Sequence, residues 1–436
     1  HNLGCKVNAY EVEAMQQLLE KAGYEIVPFE EGADIYLINT CTVTNIADRK
    51  SRQMLHKAKK MNPNAIVVAT GCYVQTDTQK LEEDSAVDLI LGNNQKKQIV
   101  EALEEYEKEH TKKVKVIEIN KTKEYEDLSI GYTAEHVRAY IKVQDGCNQF
   151  CTYCIIPYAR GRVRSRKIAE VLDEVRALAA RGYKEVVLTG IHLSSYGVDF
   201  KEEERESLLS LIQAVHEVEG IQRIRLGSLE PRIITEEFME GISSLPKVCP
   251  HFHLSLQSGC DKTLRNMNRR YSAAEYAEKC ELIRKFYPSP ALTTDVIVGF
   301  PMETEEDFEE SYEFVKNIHF YETHIFKYSR RQGTKAAVME GQLTEAVKSI
   351  RSEKMIALHE IRAKEYETSM IGKTLELLLE EEVEINGKTY FMAHSKEYVR
   401  AVIEKTKDHK VNDLVRAKAV DFADEHVLLA ICEELY

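Results

Sequence analysis

The chain has 436 residues, of which 43% are apolar, 20 are glycine and 9 are proline, so it can bury the cores of two or three domains. Its net charge of −13 argues against a protein that coats nucleic acid by bulk positive charge, although it leaves room for a local basic patch. No stretch approaches the roughly 20 apolar residues of a membrane-spanning helix, and no export signal is visible. We therefore expect a cytoplasmic protein with reduced cysteines.

Residues 1–110 alternate short apolar runs with amphipathic stretches, which predicts a parallel α/β sheet domain. The expected strands are Ala33–Asn39, Ala65–Thr70 and Val87–Leu91, and the expected helices are Ala9–Lys21, Ile46–Lys60 and Gln95–Glu105. The highly charged residues 111–135 predict a linker with an edge strand near Val114–Ile119.

Residues 136–368 repeat the alternation of strands and helices and predict a partial TIM-type (βα)6 barrel. The expected strands are Val137–Val143, Glu185–Thr189, Arg223–Gly227, His251–Gln257, Ala291–Val298 and Thr323–Tyr328. Residues 369–436 change character and predict a small five-stranded β-barrel, so that the whole chain is of the α/β class with a terminal β domain.

Three cysteines, Cys147, Cys151 and Cys154, form a C-x3-C-x2-C run directly after the first strand of the predicted barrel. Three thiolates can hold three irons of a [4Fe–4S] cluster and leave the fourth iron open. S-adenosylmethionine (SAM) can chelate that iron, so that an electron from the cluster releases a 5′-deoxyadenosyl radical. Structural zinc is disfavoured because no fourth cysteine or histidine lies nearby at zinc spacing, and a ferredoxin run has a different spacing and count.

This loop and its context resemble the radical SAM superfamily, over about Val137 to Tyr328. The resemblance implies SAM contacts at Tyr153 in the loop and at successive strand ends, namely Gly190, Ser228, Glu230, Gln257 and Gly299. The strand-end positions lie on the catalytic side of such barrels. Arg269 is a further candidate for contact with phosphate or with the SAM carboxylate. No further catalytic side chain is assigned. The family usually has glycine in place of Met302, which suggests an altered turn here.

Three more cysteines, Cys5, Cys41 and Cys72, are dispersed along the first predicted domain. Cys41 and Cys72 each follow a predicted strand and precede a helix, and Cys5 would do so if residues before His1 supply a strand. Such turns lie along one edge of a parallel sheet, where ligands bind. Geometry alone leaves two readings open, a second cluster or isolated buried thiols.

Together, both cysteine sets and the terminal barrel resemble the radical SAM methylthiotransferase family over nearly the whole chain. The resemblance implies a second, auxiliary [4Fe–4S] cluster on Cys5, Cys41 and Cys72, and identifies the terminal barrel as a TRAM domain. It also implies two molecules of SAM, a tRNA anticodon loop as partner, and an electron donor such as flavodoxin or ferredoxin. One SAM would methylate a cluster sulfur, and the radical from the other would activate C2–H of an adenine.

The family's branches differ in substrate. The segments Gly4–Asn8 and Asn39–Thr44 look most like the branch acting on N6-threonylcarbamoyladenosine at tRNA position 37. The isopentenyladenosine branch more often has Gln-Met after its first cysteine, where this chain has Lys6 and Val7. Isopentenyladenosine and an aspartate of a ribosomal protein remain alternative targets, and a non-catalytic iron–sulfur protein that binds RNA or senses redox state is an alternative of another class.

A basic run follows the Cys147 loop and predicts phosphate contacts with RNA. Its members are Arg160, Arg162, Arg164, Arg166 and Lys167. Arg330 and Arg331 are further candidates for phosphate or SAM. The alternative for the run is a solvated surface stretch. The acidic balance of the terminal barrel makes it a poor RNA-binding surface and leaves a purely structural cap as an alternative.

Overall fold

A parallel four-stranded sheet opens the chain in the computed structural model, which describes residues 1–133 and 137–433. Its strands, in the order β1-β2-β3-β4, are β1 (Ile35–Thr40), β2 (Ile66–Gly71), β3 (Leu89–Leu91) and β4 (Lys113–Lys115). Its helices are α1 (Lys6–Lys21), α2 (Asn45–Met61), α3 (Cys72–Thr76), α4 (Thr78–Glu82) and α5 (Ile99–Glu109). Asn2 adds a single parallel bridge to Asn39 beside β1. All three sequence-predicted strands are present, and β4 lies at the sheet edge.

Six parallel strands form the central part of the described chain. They are β5 (Arg138–Asp145), β7 (Glu185–Gly190), β8 (Arg223–Leu226), β9 (His251–His253), β10 (Ala291–Val298) and β11 (Glu322–Lys327). The ladders β5-β7-β8 and β9-β10-β11 are joined by single parallel bridges, Ile224 to Val248 and Leu229 to Leu254. The result is the predicted open (βα)6 barrel.

Most helices of this part pack their apolar faces on the strands. The helices are α6 (Ile156–Arg160), α7 (Ile168–Ala180), α8 (Leu208–His216), α9 (Glu236–Ser243), α10 (Asp261–Asn266), α11 (Ala273–Phe286), α12 (Glu305–Ile318) and α13 (Glu345–Thr368). Helix α6 packs instead against α3 of the first domain. Val175 and Leu178 of α7 belong to the same fully buried cluster as Ile141 and Leu188 of the strands. Short β6 (Arg164–Ser165) pairs antiparallel with β5, and the sequence did not predict it.

The terminal part is a closed five-stranded barrel, in the order β12-β13-β14-β16-β15. Its strands are β12 (Thr374–Ile385), β13 (Lys388–Ser395), β14 (Arg400–Glu404), β15 (Leu414–Asp424) and β16 (Val427–Cys432). A core of leucines, valines and alanines fills it. The predicted α/β class with a terminal β-barrel is therefore confirmed.

The terminal barrel lies against the central strands through two buried arginines of β8. Arg223 Nε donates to Glu376 Oε1 at 2.9 Å, and Arg225 Nη1 donates to the Lys396 carbonyl at 2.8 Å. The ring of Tyr398 lies under the Arg225 guanidinium, 4.7 Å from its centroid. Arg225 also pairs with Glu185 at 2.8 Å. Burial alone would raise the pKa of Glu185, but Arg225 and its neighbouring arginines lower it to about 2.

Among the described residues, no helix has both the length and the apolar character needed to cross a membrane.

The carboxyl ends of the first sheet's strands lie against the carboxyl-end loops of the central barrel, and both cysteine sets lie at this junction.

Candidate active site

The Cys147 loop leaves β5 through a turn that requires glycine. Gly146 has φ +71°, and a Cβ there would lie 1.9 Å from the Arg162 carbonyl oxygen. Three hydrogen bonds then fix the loop: Cys147 N–H to the Gly161 carbonyl, Thr152 N–H to the Met267 carbonyl, and Ala336 N–H to the Thr152 carbonyl, of 3.0, 3.0 and 2.8 Å. The loop is therefore held by three separate segments of the barrel.

The three thiols of this loop converge without forming disulfides. Burial raises the pKa of Cys147 to about 11, with a further rise from Cys151. Burial, and then Cys151, raises the pKa of Cys154 to about 12. Arg269 Nη1 lies 3.5 Å from Cys151 Sγ and donates toward it. Since metals bind the thiolate, a metal here must displace protons, and Arg269 offsets part of the resulting negative charge.

The SAM candidates lie along the strand ends around the loop. Tyr153 packs edge-on against Phe300, with ring centroids 6.4 Å apart. Gly190 ends β7, where the Gln144 side chain fills the space of a Cβ. Gln257 is buried, has φ +74° and forms a bridge to Val296.

The remaining SAM candidates differ in exposure and in the partners they already have. Ser228, after β8, is exposed, whereas buried Glu230 pairs with Arg232 at 2.8 Å. Arg269 also donates to Tyr271 Oη and to the Ser255 carbonyl. Gly299 directly follows β10 and has φ +72°. Met302, where the family usually has glycine, adopts φ +64°, so the substitution leaves a left-handed turn in place.

Cys5, Cys41 and Cys72 also come together, at the carboxyl edge of the first sheet. A Cβ on Gly4 would lie 3.1 Å from Cys41 Sγ, which places the turn of Cys5 against Cys41. The pKa of Cys41 is raised to about 11, mainly by burial and then by the neighbouring thiols Cys72 and Cys5. The three segments that are far apart in sequence thus form one set of thiols.

The spacing of the thiols disfavours a single metal ion at either set. A tetrahedral zinc with Zn–S bonds of about 2.3 Å would hold its thiolates about 4 Å apart. Among described histidines, cysteines and carboxylates, only His253, Asp295 and His324 place three ligand atoms within 4.8 Å of one another. Neither cysteine set brings three sulfurs this close, which leaves room for a cluster of several irons.

Arg160 is placed differently from the sequence expectation. It is fully buried, and its Nε donates to Cys72 Sγ at 3.2 Å. Its Nη1 and Nη2 donate to the two Glu11 oxygens at 2.8 and 3.0 Å, and Nη2 donates to Asn8 Oδ1 at 2.6 Å. The prediction that Arg160 contacts RNA phosphate is therefore wrong. Arg160 instead joins the helix after the Cys147 loop to the Cys72 turn.

A buried network surrounds this contact and carries excess positive charge. Its cations are Lys96, Lys142, Arg160 and Arg164, and its carboxylates are Glu11 and Asp145. Burial alone would raise the pKa of Glu11, but Arg160, Lys142 and Lys96 hold it well below its usual range. Four cations therefore face two carboxylates beside Cys72, a setting that suits an anionic thiolate ligand.

The RNA expectation is also wrong for Arg164 and Arg166. Arg164 forms part of β6 and donates to the Arg160 and Arg162 carbonyls. Arg166 is buried and ion-paired with buried Glu174. Of the run, Arg162 is exposed with its guanidinium over the Phe150 ring at 4.5 Å, and half-buried Lys167 pairs with Glu204 at 2.7 Å.

A second arginine joins the two halves of the site. Arg331, 5% exposed, hydrogen-bonds to Thr42 Oγ1 at 2.7 Å and pairs with Asp48, beside the Cys41 turn. Arg330 Nε donates to the Ala337 carbonyl at 2.7 Å. Arg331 therefore makes protein contacts in place of the expected contact with phosphate or SAM, whereas Arg330 is exposed and its contact with phosphate or SAM stays a prediction.

Lys6 lies inside the open barrel, next to Cys5. Its Nζ is 5.9 Å from the Tyr140 ring centroid on β5, and the residue is exposed to solvent. The enclosing walls lower the pKa of Lys6, first by desolvation and then through Arg225 and Arg138. Within residues 1–133 and 137–433, Lys6 forms no ion pair at 4.0 Å or less. Lys142 and Arg225, by contrast, each have a carboxylate partner.

Polar side chains from β9–β11 border the same space. His253 Nε2 lies 3.2 Å from Asp295 Oδ2, and the His253 and His324 rings stack with centroids 5.7 Å apart. Burial, and then Arg225, Lys6, His253 and His324, hold the pKa of His251 well below its usual range. The space in front of Lys6 is therefore polar.

Glu11, Lys142 and Lys96 were missed at the sequence level. Lys142 carried a usable signal, because a lysine within an otherwise apolar strand must be paired when it is buried. Glu11 and Lys96 are buried, but their local sequences look like ordinary helix surfaces, and the partners that bury them are distant along the chain.

The chain matches two family models. Residues 141–315 match the radical SAM superfamily, and residues 1–92 match the family described as "Uncharacterized protein family UPF0004". Among solved structures, a radical SAM methyltransferase, TsrM from Kitasatospora setae, with cobalamin and a [4Fe–4S] cluster bound, aligns with a TM-score of 0.58 at 15% identity. The alignment covers 76% of this chain and 74% of that one, and it supports the fold alone.

Curated relatives match much more closely. A threonylcarbamoyladenosine tRNA methylthiotransferase of Bacillus subtilis is 42% identical, covering 96% of this chain and 92% of the relative. One from Aquifex aeolicus is 44% identical over 89% of this chain and 94% of the relative. A tRNA-2-methylthio-N6-dimethylallyladenosine synthase of Thermoanaerobacter pseudethanolicus is 37% identical over 86% and 80%.

These matches define a radical SAM enzyme. More narrowly, the chain belongs to the radical SAM methylthiotransferase family, whose cofactors are SAM and [4Fe–4S] clusters.

Proposed function

We propose that the protein inserts a methylthio group at C2 of N6-threonylcarbamoyladenosine at tRNA position 37, next to the anticodon. The observation that carries this proposal is the junction of the two cysteine sets, where Arg160, at the end of the helix that follows Cys154, donates to Cys72. The 42–44% identity to two threonylcarbamoyladenosine enzymes supports this branch.

The residues present suit two clusters. Cys147, Cys151 and Cys154 would hold the SAM-binding cluster, and Cys5, Cys41 and Cys72 would hold the auxiliary one. Neither set brings three sulfurs within 4.8 Å of one another, and excess buried positive charge lies beside Cys72. When bound, the clusters would supply the electron that cleaves SAM and the sulfur that is transferred.

The chain's own residues would position this chemistry. Tyr153 within the Cys147 loop, exposed Ser228 and half-buried Gly190 are our candidates for SAM contacts, together with Glu230, Gln257, Arg269 and Gly299. Arg160 and Arg331 fasten the first sheet to the barrel, so that the radical and the sulfur to be transferred would be supplied at the same junction.

The domain division that we propose is 1–110, 111–135, 136–368 and 369–436. Part of the third and fourth segments, residues 136 and 434–436, and the end of the linker, residues 134 and 135, lie outside the described residues. We place the reaction in the cytoplasm, with the tRNA anticodon loop as substrate and flavodoxin or ferredoxin as electron donor.

Mass spectrometry of tRNA nucleosides tests the function. Cells that lose this chain should lose the methylthio derivative of threonylcarbamoyladenosine, and cells that regain it should recover that nucleoside. Loss of the isopentenyladenosine derivative instead would move the protein to the other tRNA branch. Unchanged tRNA nucleosides would contradict the proposal.

A further inference from the structure

Lys6 is a cation of the open barrel that differs from its neighbours in its ion pairing. It is the first residue of α1, directly after Cys5, and its side chain reaches to the Tyr140 ring on β5. Other cations in this region have carboxylate partners: Arg225 pairs with Glu185 at 2.8 Å, and Arg138 with Glu380 at 3.1 Å. Within the described residues, Lys6 has no such partner.

The carboxylates of Glu185 and Glu322 attract Lys6 from beyond ion-pair distance, and an ammonium group without a direct ion-pair partner can accept an anionic ligand. Lysine suits this role because its charge is compact and carries three donors. The space in front of Lys6 is open to solvent, since Lys6 and His324 are both exposed. A ligand can therefore reach the ammonium group without displacing a packed side chain.

The substrate of the proposed function carries such an anion. The threonylcarbamoyl group on N6 ends in a carboxylate, whereas an isopentenyl group is uncharged and apolar. The polar wall formed by His253, Asp295 and His324 suits the amide and hydroxyl groups of a threonylcarbamoyl chain better than an apolar chain.

We propose that Lys6 binds the carboxylate of the threonylcarbamoyl group and thereby selects this substrate. This inference rests on the proposed function. In adenine, C2 and C6 flank the same ring nitrogen, so an N6 substituent anchored beside Cys5 holds the C2 edge on the side of the Cys5, Cys41 and Cys72 set. Lys6 is thus a specificity-determining residue at this site.

The test compares two anticodon stem-loop RNAs that differ in one group. One carries threonylcarbamoyladenosine, and in the other the same nucleoside has its carboxylate replaced by the neutral carboxamide. Anaerobic fluorescence anisotropy with the cluster-loaded protein gives the affinity of each RNA. We expect the native protein to prefer the carboxylate RNA, and Lys6→Gln to reduce that preference by about tenfold, the effect of losing one charge-assisted hydrogen bond.

Two further variants sharpen the result. Lys6→Arg keeps the positive charge and should keep the preference. Lys21→Gln removes an exposed lysine at the other end of the same helix and should behave as the native protein. The ratio of the two affinities is measured on one sample, so any change in cluster content that accompanies a substitution beside Cys5 alters both affinities together.

A Lys6→Gln variant that keeps the native preference would overturn the inference, as would equal weakening toward both RNAs. The two proposals fail separately. If the native enzyme forms no methylthio product on the threonylcarbamoyladenosine RNA, the proposed function is wrong. If it forms that product while the affinity ratio of Lys6→Gln is unchanged, only the role of Lys6 is wrong.

Discussion

Arg160 Nε donates to Cys72 Sγ across 3.2 Å, and both residues are buried. Donors to a ligating sulfur favour the more negative state of a cluster, so they raise its reduction potential. The contact also crosses from the central barrel to the first sheet. Arg160 is therefore positioned to tune the proposed auxiliary cluster from the side of the Cys147 loop.

Replacing Arg160 with lysine should lower the potential of the auxiliary cluster, because lysine keeps the charge but loses the planar fork. Redox titration followed by electron paramagnetic resonance would measure this, in a background where Cys147, Cys151 and Cys154 are alanine. A fall by tens of millivolts is expected. Arg162→Gln, which changes an exposed arginine of the same run, serves as the control, and an unchanged potential in Arg160→Lys would contradict the role.

Alanine at Cys5, Cys41 and Cys72 together should reduce the iron content from about eight to about four per chain after anaerobic reconstitution. Reduced variant protein should still form 5′-deoxyadenosine from SAM, because the Cys147 loop is intact, but should form no methylthio product. Iron assays and chromatography of the nucleosides give both results. Cys432→Ala, in the terminal barrel, is the matched control, and eight irons in the triple variant would refute the second cluster.

Arg162 is the exposed member of the basic run, whereas half-buried Lys167 is already paired with Glu204. Arg162→Gln should weaken binding of the anticodon stem-loop severalfold and reduce the slope of log affinity against log salt by about one, since one phosphate contact is lost. Arg176→Gln, an exposed arginine on the outer helix α7, should leave the slope as it is. Equal slopes for Arg162→Gln and the native protein would exclude this contact.

Glu185 should make the protein acid-sensitive. The pKa of Glu185 is about 2 in the folded state and ordinary in the unfolded chain. The ionised carboxylate therefore stabilises the folded state at pH values above that ordinary pKa. This stabilisation is lost as the pH falls toward 2. The full contribution is on the order of 3 kcal/mol. Glu185→Gln should be less stable at neutral pH, because it leaves Arg225 buried and unpaired.

Urea unfolding of reduced, cluster-free protein between pH 6 and pH 3.5 would measure the effect. The native protein should lose free energy of unfolding more steeply than Glu185→Gln below about pH 4.5. Glu281→Gln, an exposed carboxylate paired within α11, should follow the native profile. Parallel profiles for Glu185→Gln and the native protein would contradict the assigned pairing.

The fold was largely predictable because its strands are apolar runs that pack on both faces. Ala291–Val298 was predicted to the residue. The run at His251–Gln257 was predicted too long: β9 ends at His253, and Gln257, with φ +74°, bridges to β10 outside the regular strand. Local patterns thus locate strands well, but they do not show where a strand end bends to form a binding surface.

The basic run shows what the sequence could not supply. Its composition indicates a surface, but β6 pairs with β5, and Arg160 and Arg166 meet Glu11 and Glu174. Glu11 precedes Arg160 by 149 positions, so no local pattern connects them. The burial of the arginines follows from tertiary contacts that neutralise them.

The stacking of Tyr398 under Arg225 has a consequence for how this enzyme can evolve. β8 carries two arginines whose partners belong partly to the terminal barrel. A chain that exchanged its terminal barrel for an unrelated one would leave these cations without their acceptors, and one that lost it would open them to water. The two modules are therefore expected to be inherited as a pair, with changes on one side answered by changes on the other.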